Sequence, residues 1–117
     1  ALYQVQYDYF YSRWTIHAVS EKQEWELLKN VSSAIKKKGL FFIEVRSIKD
    51  DLFGKGTKIA KNTYLYNDHF RRFIVKKELE EKLEKLEFEI IYEKEDKGLS
   101  KTTVSDPVLI RIIARKR

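Results

Sequence analysis

The run Leu40-Phe41-Phe42-Ile43-Glu44-Val45 is apolar almost without interruption. A strand this greasy belongs inside a parallel sheet, where both faces are covered. What precedes it supports that placement. Tyr7, Tyr9, Phe10 and Tyr11 are strong strand formers. Between the two runs, Ser20 and Gln23 have the spacing of a capping box, and Leu27, Val31 and Ile35 recur every four residues, with Trp25, Leu28 and Ala34 widening the stripe. This spacing predicts a helix over Glu21–Lys38, closed by Gly39 as a left-handed residue just past its end. Lys36, Lys37 and Lys38 would then lie at the helix C-terminus, where the helix dipole favours cations. Strand, helix and strand in that order form a right-handed crossover between parallel strands.

The second half of the chain reads differently. A helix is expected from near Val75, with Leu79, Leu83 and Leu86 inward and Glu80, Glu81, Glu84, Lys82 and Lys85 outward. Phe88–Glu93 and Val108–Ala114 read as strands, and the polar stretch between them has no helical period, so they should pair antiparallel. The stretch from Arg46 to Arg72 has little periodicity and reads as one long loop, of the kind that often serves as a lid or binding loop. The whole of 1–117 is expected to form a single α/β domain.

Charge and composition narrow the function. The 24 Lys+Arg against 18 Asp+Glu give +6, but the basic residues are dispersed and no recognition motif accompanies them, so nucleic acid is not the indicated partner. With no cysteine, a disulfide framework and thiolate metal sites are excluded. No apolar run approaches the roughly 18 residues that span a bilayer, and no basic-then-apolar leader opens the sequence, which makes the cytoplasm the default location.

Several side chains are candidates for chemistry. Tyr11, Ser12 and Arg13 stand at the end of the first strand, where an open α/β sheet gathers its ligands; the alternative is an aromatic edge strand followed by a solvated turn. His17 and His69 are candidate general bases, against a packed turn residue and a surface loop residue respectively. Arg46, emerging from the buried strand, suits bidentate capture of a carboxylate or phosphate, or else pairs with Glu44, Asp50 or Asp51. Arg71 and Arg72 offer a second anion contact or plain ion pairs. Gly54-Lys55-Gly56 reads as a turn or hinge in preference to a phosphate cradle. Asp50 and Asp51, even with Asp68, more often solvate or cap a turn than bind a divalent ion, and no metal is expected.

The succession Tyr-Asp-Tyr-Phe-Tyr-Ser-Arg-Trp-Thr-Ile-His, a helix closing in Lys-Gly-Leu, then Phe-Phe-Ile-Glu-Val-Arg-Ser with Asp-Leu-Phe-Gly-Lys-Gly behind it, resembles the C-terminal half of class I S-adenosylmethionine-dependent methyltransferases. Within them it looks closest to the tellurite-resistance-like small-molecule group. The resemblance implies a partial Rossmann-like sheet built as β-α-β-loop-α-β-β, carrying strands four to seven of the full fold in the order 4-5-7-6, with the last strand antiparallel. It places Tyr11, Ser12 and Arg13 toward the donor S-adenosylmethionine with His17 just behind, and Arg46, Tyr64, His69, Arg71 and Arg72 toward the methyl acceptor. The family's glycine-rich loop and ribose-binding acid have no counterpart in the sequence, so donor binding by this chain alone is expected to be weak or absent. Lys38 and Glu87 occupy positions where the family commonly has glycine.

The expectation is therefore a methyltransferase portion, inactive alone, that forms a homo-oligomer or pairs with a separate N-terminal half. The competing expectation is a non-enzymatic α/β fragment that folds by oligomerising and binds no cofactor.

Overall fold

The computed structural model describes residues 6–13 and 20–117. The chain runs β1 (Tyr7–Arg13), α1 (Glu21–Ala34), β2 (Ile35–Arg46), β3 (Thr57–Ala60), β4 (Thr63–Tyr66), β5 (His69–Arg72), α2 (Lys76–Lys85), β6 (Phe88–Asp96) and β7 (Leu109–Lys116). A four-stranded sheet has the order β1-β2-β7-β6. β1 and β2 are parallel, while β7 runs antiparallel to both β2 and β6. This is the predicted sheet, 4-5-7-6 in the numbering of the full fold, with the last strand reversed.

Alternation along the strands divides the sheet into two faces. Phe41, Ile43, Val45, Ile110, Ile112 and Ala114 lie on one face and join Leu28, Val31 and Ile35 with Leu79 and Leu83 of α2 in a single buried core. Both helices thus cover the same side. The other face carries Tyr9, Tyr11, Phe42 and Ile113, and Tyr9 and Tyr11 are 67% and 68% exposed. Rings still meet across this face, with Phe42 lying 6.3 Å from Tyr9 and 6.4 Å from Tyr11.

Two expectations need correction. α1 ends at Ala34, and the next residues enter β2, with Ile35 already buried. Lys36, Lys37 and Lys38 therefore begin a strand, and the last turn of α1 has no basic residue for its dipole. The positive φ falls on Lys38 (66°) and not on Gly39. Glycine is needed at 39 for a different reason: a Cβ there would lie 2.8 Å from the Lys36 carbonyl oxygen and 2.9 Å from that of Asp8, where β1 passes. Glu87 also takes a positive φ, 66°, so both positions where the resemblance favours glycine adopt the glycine-like conformation.

The second correction concerns 46–72. This segment is an antiparallel three-stranded sheet, β3-β4-β5, and not a structureless loop. Asn67 and Asp68 both have positive φ, 50° and 61°, the geometry of the tight two-residue turn that joins twisted strands. Gly54-Lys55-Gly56 forms the turn leading into β3. Gly56 has φ 88°, and a Cβ there would lie 2.1 Å from the Leu65 carbonyl oxygen. Among the described residues no helix is long and apolar enough to cross a membrane.

Candidate functional site at the strand ends

The C-terminal ends of β1 and β2 gather polar and charged side chains. Tyr9, Tyr11 and Arg13 alternate onto the uncovered face, as do Phe42, Glu44 and Arg46 of β2. Glu44 is almost wholly buried although it lies on this face. Its carboxylate bridges two strands: Arg13 Nε donates to Oε1 at 3.2 Å and Arg111 Nε to Oε2 at 2.8 Å. The outer ends of both guanidiniums reach the β6–β7 loop, Arg13 to Ser100 Oγ (3.0 Å) and Arg111 to the Leu99 carbonyl (2.6 Å). A cross-strand charge row therefore ties the loop to the sheet, and Tyr11, Phe42, Tyr92 and Ile113 form an aromatic and aliphatic hollow of about 350 Å³ around it.

Ser12 points the opposite way, toward the helix-covered side, with its Oγ buried and without a hydrogen bond among the described residues. Tyr11 and Ser12 therefore do not present their side chains on one face. His17 lies outside the described residues.

Two residues beyond Glu44 on β2, Arg46 Nη1 donates to Asp50 Oδ2 at 2.9 Å. Asp50 also receives the backbone N–H groups of Leu52 (3.2 Å) and Val108 (2.8 Å). Its role is to fold the turn after β2 and anchor the start of β7, as the ion-pair alternative for Arg46 anticipated. Asp51 pairs with Lys97 at 3.1 Å.

The three-stranded sheet adds a second wall. Tyr64 stands opposite Arg71, and Tyr66 opposite His69; residues two apart on a strand share a face, so these four do. The Tyr64 ring meets Phe53 at 5.4 Å and buried Phe73 at 6.2 Å, edge to face, which fixes the hairpin against the body. His69 is exposed at the hairpin. Arg71 lies close enough to Arg46 and Asp50 to sense both charges: burial lowers its pKa, Arg46 lowers it further, and Asp50 opposes them. The structure thus brings Arg46, Tyr64 and Arg71 to one edge.

Arg72 is elsewhere. It projects from the opposite face of β5, and its guanidinium is buried on Glu24 of α1 at 3.0 Å. Glu24 is 1% exposed and also binds Lys82 of α2, so this carboxylate fastens the small sheet and both helices together. That makes Arg72 a structural residue here.

Glu44, Arg111 and Glu24 were missed as functional or organising groups. Glu44 left a trace in the sequence, since a lone acid between Ile43 and Val45 must face away from them. Arg111, between Ile110 and Ile112, carries the same trace, though its pairing with Glu44 depends on strand register, and Glu24 depends on helix packing that its local sequence does not show.

A chain with this sheet order, two helices on one face and polar strand ends on the other can be compared with solved structures. A S-adenosylmethionine-dependent methyltransferase from Methanosarcina mazei superposes with a TM-score of 0.79 at 16% identity, covering 97% of this chain and 62% of that one. The fold is that of S-adenosylmethionine-dependent methyltransferases. The methyltransferase fold recurs in TehB from Haemophilus influenzae, with TM-score 0.65, 16% identity, and coverage of 98% of this chain and 37% of that one. It recurs again in the 1,6-didemethyltoxoflavin-N1-methyltransferase of Burkholderia thailandensis, solved with S-adenosylhomocysteine, at 0.66, 16%, 96% and 44%. The chain thus spans less than two thirds of the length of these methyltransferases. No family sequence model matches it, and comparison with curated protein sequences finds no relative.

Proposed function

We propose that the chain is the C-terminal portion of a S-adenosylmethionine-dependent methyltransferase of the tellurite-resistance-like small-molecule group, working in the cytoplasm. The observation that carries this reading is the methyltransferase-like sheet, β1-β2-β7-β6, at whose strand ends Tyr11, Arg13, Glu44 and Arg46 stand.

In this reading the donor, S-adenosylmethionine, supplies an activated methyl group from its sulfonium. The chain's own residues position and do not activate the donor. Tyr11 and Arg13 border its site, Glu44 holds Arg13 in place, and Arg46, Tyr64 and Arg71 receive the acceptor. His69, on the Tyr66 side of the same hairpin face, is the described candidate for accepting the acceptor's proton, and His17 is the other. Donor contacts that the family draws from a glycine-rich loop require a separate N-terminal half or a longer chain.

Calorimetric titration with S-adenosylmethionine tests this. Binding should be weak or absent for the chain alone and should appear when the N-terminal portion of the Methanosarcina mazei protein is supplied separately or fused ahead of Ala1. Failure of both additions to produce binding would overturn the reading.

A second reading, a non-enzymatic fragment that oligomerises, is favoured by one observation. β1 pairs only with β2 among the described strands, and its exposed Tyr7, Tyr9 and Tyr11 make it an edge suited to another chain. Sedimentation at rising concentration separates the cases. Self-association abolished by Tyr9→Lys, with no donor binding under any condition, supports the fragment.

A further inference from the structure

The guanidiniums at this end of the molecule differ in one respect. Arg13 and Arg111 share Glu44, Arg46 has Asp50, and Arg72 has Glu24. Arg71 is half-buried, yet its hydrogen bond runs from Nη1 to a neutral acceptor, the Tyr66 carbonyl, at 3.3 Å. Among the described residues no carboxylate pairs with it. The carboxylate whose charge it senses is Asp50, whose oxygens are already taken by Arg46 and two backbone N–H groups.

A partly desolvated cation beside a second cation is costly unless a counter-charge arrives. Burial and the neighbouring Arg46 charge both act against the guanidinium, pushing its pKa below the ordinary arginine value. Two guanidiniums and one carboxylate leave a single positive charge. The Nη1 bond to Tyr66 leaves the Nε–Nη2 edge of Arg71, a two-pronged donor whose spacing matches the two oxygens of a carboxylate. Tyr64, directly across the strand pair on the same face, offers an aromatic surface to whatever carries that carboxylate.

We propose that Arg71 binds the carboxylate of the methyl acceptor, so that the acceptor is a monoanionic organic acid with an apolar or aromatic body resting near Tyr64. One positive charge suits a monoanion better than a phosphate dianion. Arg46, held by Asp50, and Tyr64 then border the acceptor, Arg72 is turned away onto Glu24, and Arg71 alone grips the carboxylate. This assignment to the acceptor rests on the methyl-transfer reading, and anion binding is measured without donor, so a failure of anion binding and a failure of donor binding are separate results.

The experiment follows the arginine Nε–H signals by NMR while sodium benzoate is added at constant ionic strength, with sodium chloride as control and inorganic phosphate as a second probe. The expected result is a saturable shift of the Arg71 signal with benzoate and not with chloride. Arg71→Gln should abolish saturation while its circular dichroism stays that of the parent chain. Arg71→Lys, which keeps the charge and loses the fork, should weaken benzoate binding by roughly tenfold or more. Should Arg71→Gln fail to fold, the lysine variant and the parent titration decide alone. Equal, unsaturable shifts at Arg71 and exposed Arg115 would overturn the proposal, and so would binding of phosphate in preference to benzoate.

Discussion

The two faces of the four-stranded sheet are made from alternate residues of the same strands, and they have opposite characters. Under the helices, Phe41, Ile43, Val45, Ile110, Ile112 and Ala114 are all at most 3% exposed. One residue along, Tyr9, Tyr11 and Phe42 share their face with Glu44, Arg111 and Arg13. The covered face is where burial of apolar area stabilises this chain. The other face is organised by charge and hydrogen bonds and has aromatic surface to spare, so it holds its shape while leaving room for a ligand or another polypeptide.

The widest separation between the faces should come from adjacent phenylalanines. Phe41 is fully buried and meets Phe88 at 5.9 Å and Phe10 at 6.5 Å. Phe41→Ala should cost about 3–5 kcal/mol, as large-to-small changes in well-packed cores do. Phe42→Ala removes a half-buried ring and should cost only about 1 kcal/mol in the isolated chain. Urea unfolding of both variants measures this. Equal losses would show that the second face is also packed, by a second copy for instance, and a loss at Phe42 that grows with protein concentration would identify that packing as intermolecular.

Two buried carboxylates give a smaller contrast. Glu24, on the covered side, is paired with Arg72 and Lys82, whose side chains are 10% and 21% exposed. Removing its charge strands a largely desolvated guanidinium, so Glu24→Gln should cost about 2–4 kcal/mol. Glu44 is equally buried, but its partners Arg13 and Arg111 are 48% and 39% exposed and regain water when it is lost. Glu44→Gln should cost about 1 kcal/mol in stability after allowing for that screening. The same variant should loosen the β6–β7 loop, visible as faster amide exchange at Leu99 and Ser100. A larger loss at Glu44 than at Glu24 would reverse the assignment of which face holds the fold together.

How much of this could be read from the sequence follows the same division. The crossover and the helix faces were legible because the period of burial is written in local spacing, as with Leu79 and Leu83, four apart, whereas the sheet order came from the family resemblance. The small sheet was not. Its strands are four residues each, too short for alternation to stand out, and the telling signal was Asn67-Asp68 between Tyr-Leu-Tyr and Phe-Arg-Arg, a tight-turn pair flanked by strand formers. The end of α1 was misjudged because Gly39 looked like a helix stop, although its lack of a side chain serves close passage of β1 and Lys38 takes the strained conformation. Arg46 drew attention because it directly follows an apolar strand, and Arg71 and Arg72 because they are adjacent cations in a long aperiodic stretch. That Arg72 turns inward to Glu24 while its neighbour Arg71 shares the opposite face with Tyr64 depends on the register of β5, which adjacent identical residues cannot reveal.

The rim of the covered face offers the finest test, because there a proton takes the place of a counter-ion. Glu80 on α2 and Glu93 on β6 approach each other beside Lys76, whose Nζ lies 2.6 Å from Glu93 and 3.9 Å from Glu80. Burial, followed by the hydrogen bond to Glu93, raises the Glu80 pKa to about 7, from an ordinary 4.5. The hydrogen bond from Glu80, followed by that from Lys76, holds Glu93 below its ordinary value. In the folded chain Glu80 therefore keeps its proton where the unfolded chain has released it. Its stabilising contribution is complete below pH 4.5 and is lost as pH rises through 7, whereas that of Glu93 is present above 4.5 and is lost in more acid solution. Between pH 5 and 8 the urea midpoint of the chain should fall, and Glu80→Gln, whose amide can donate to Glu93 without titrating, should flatten most of that fall. An unchanged slope in the variant would mean that Glu80 and Glu93 do not share a proton, and that the covered face ends at Leu79 and Leu83 rather than extending to this carboxyl pair.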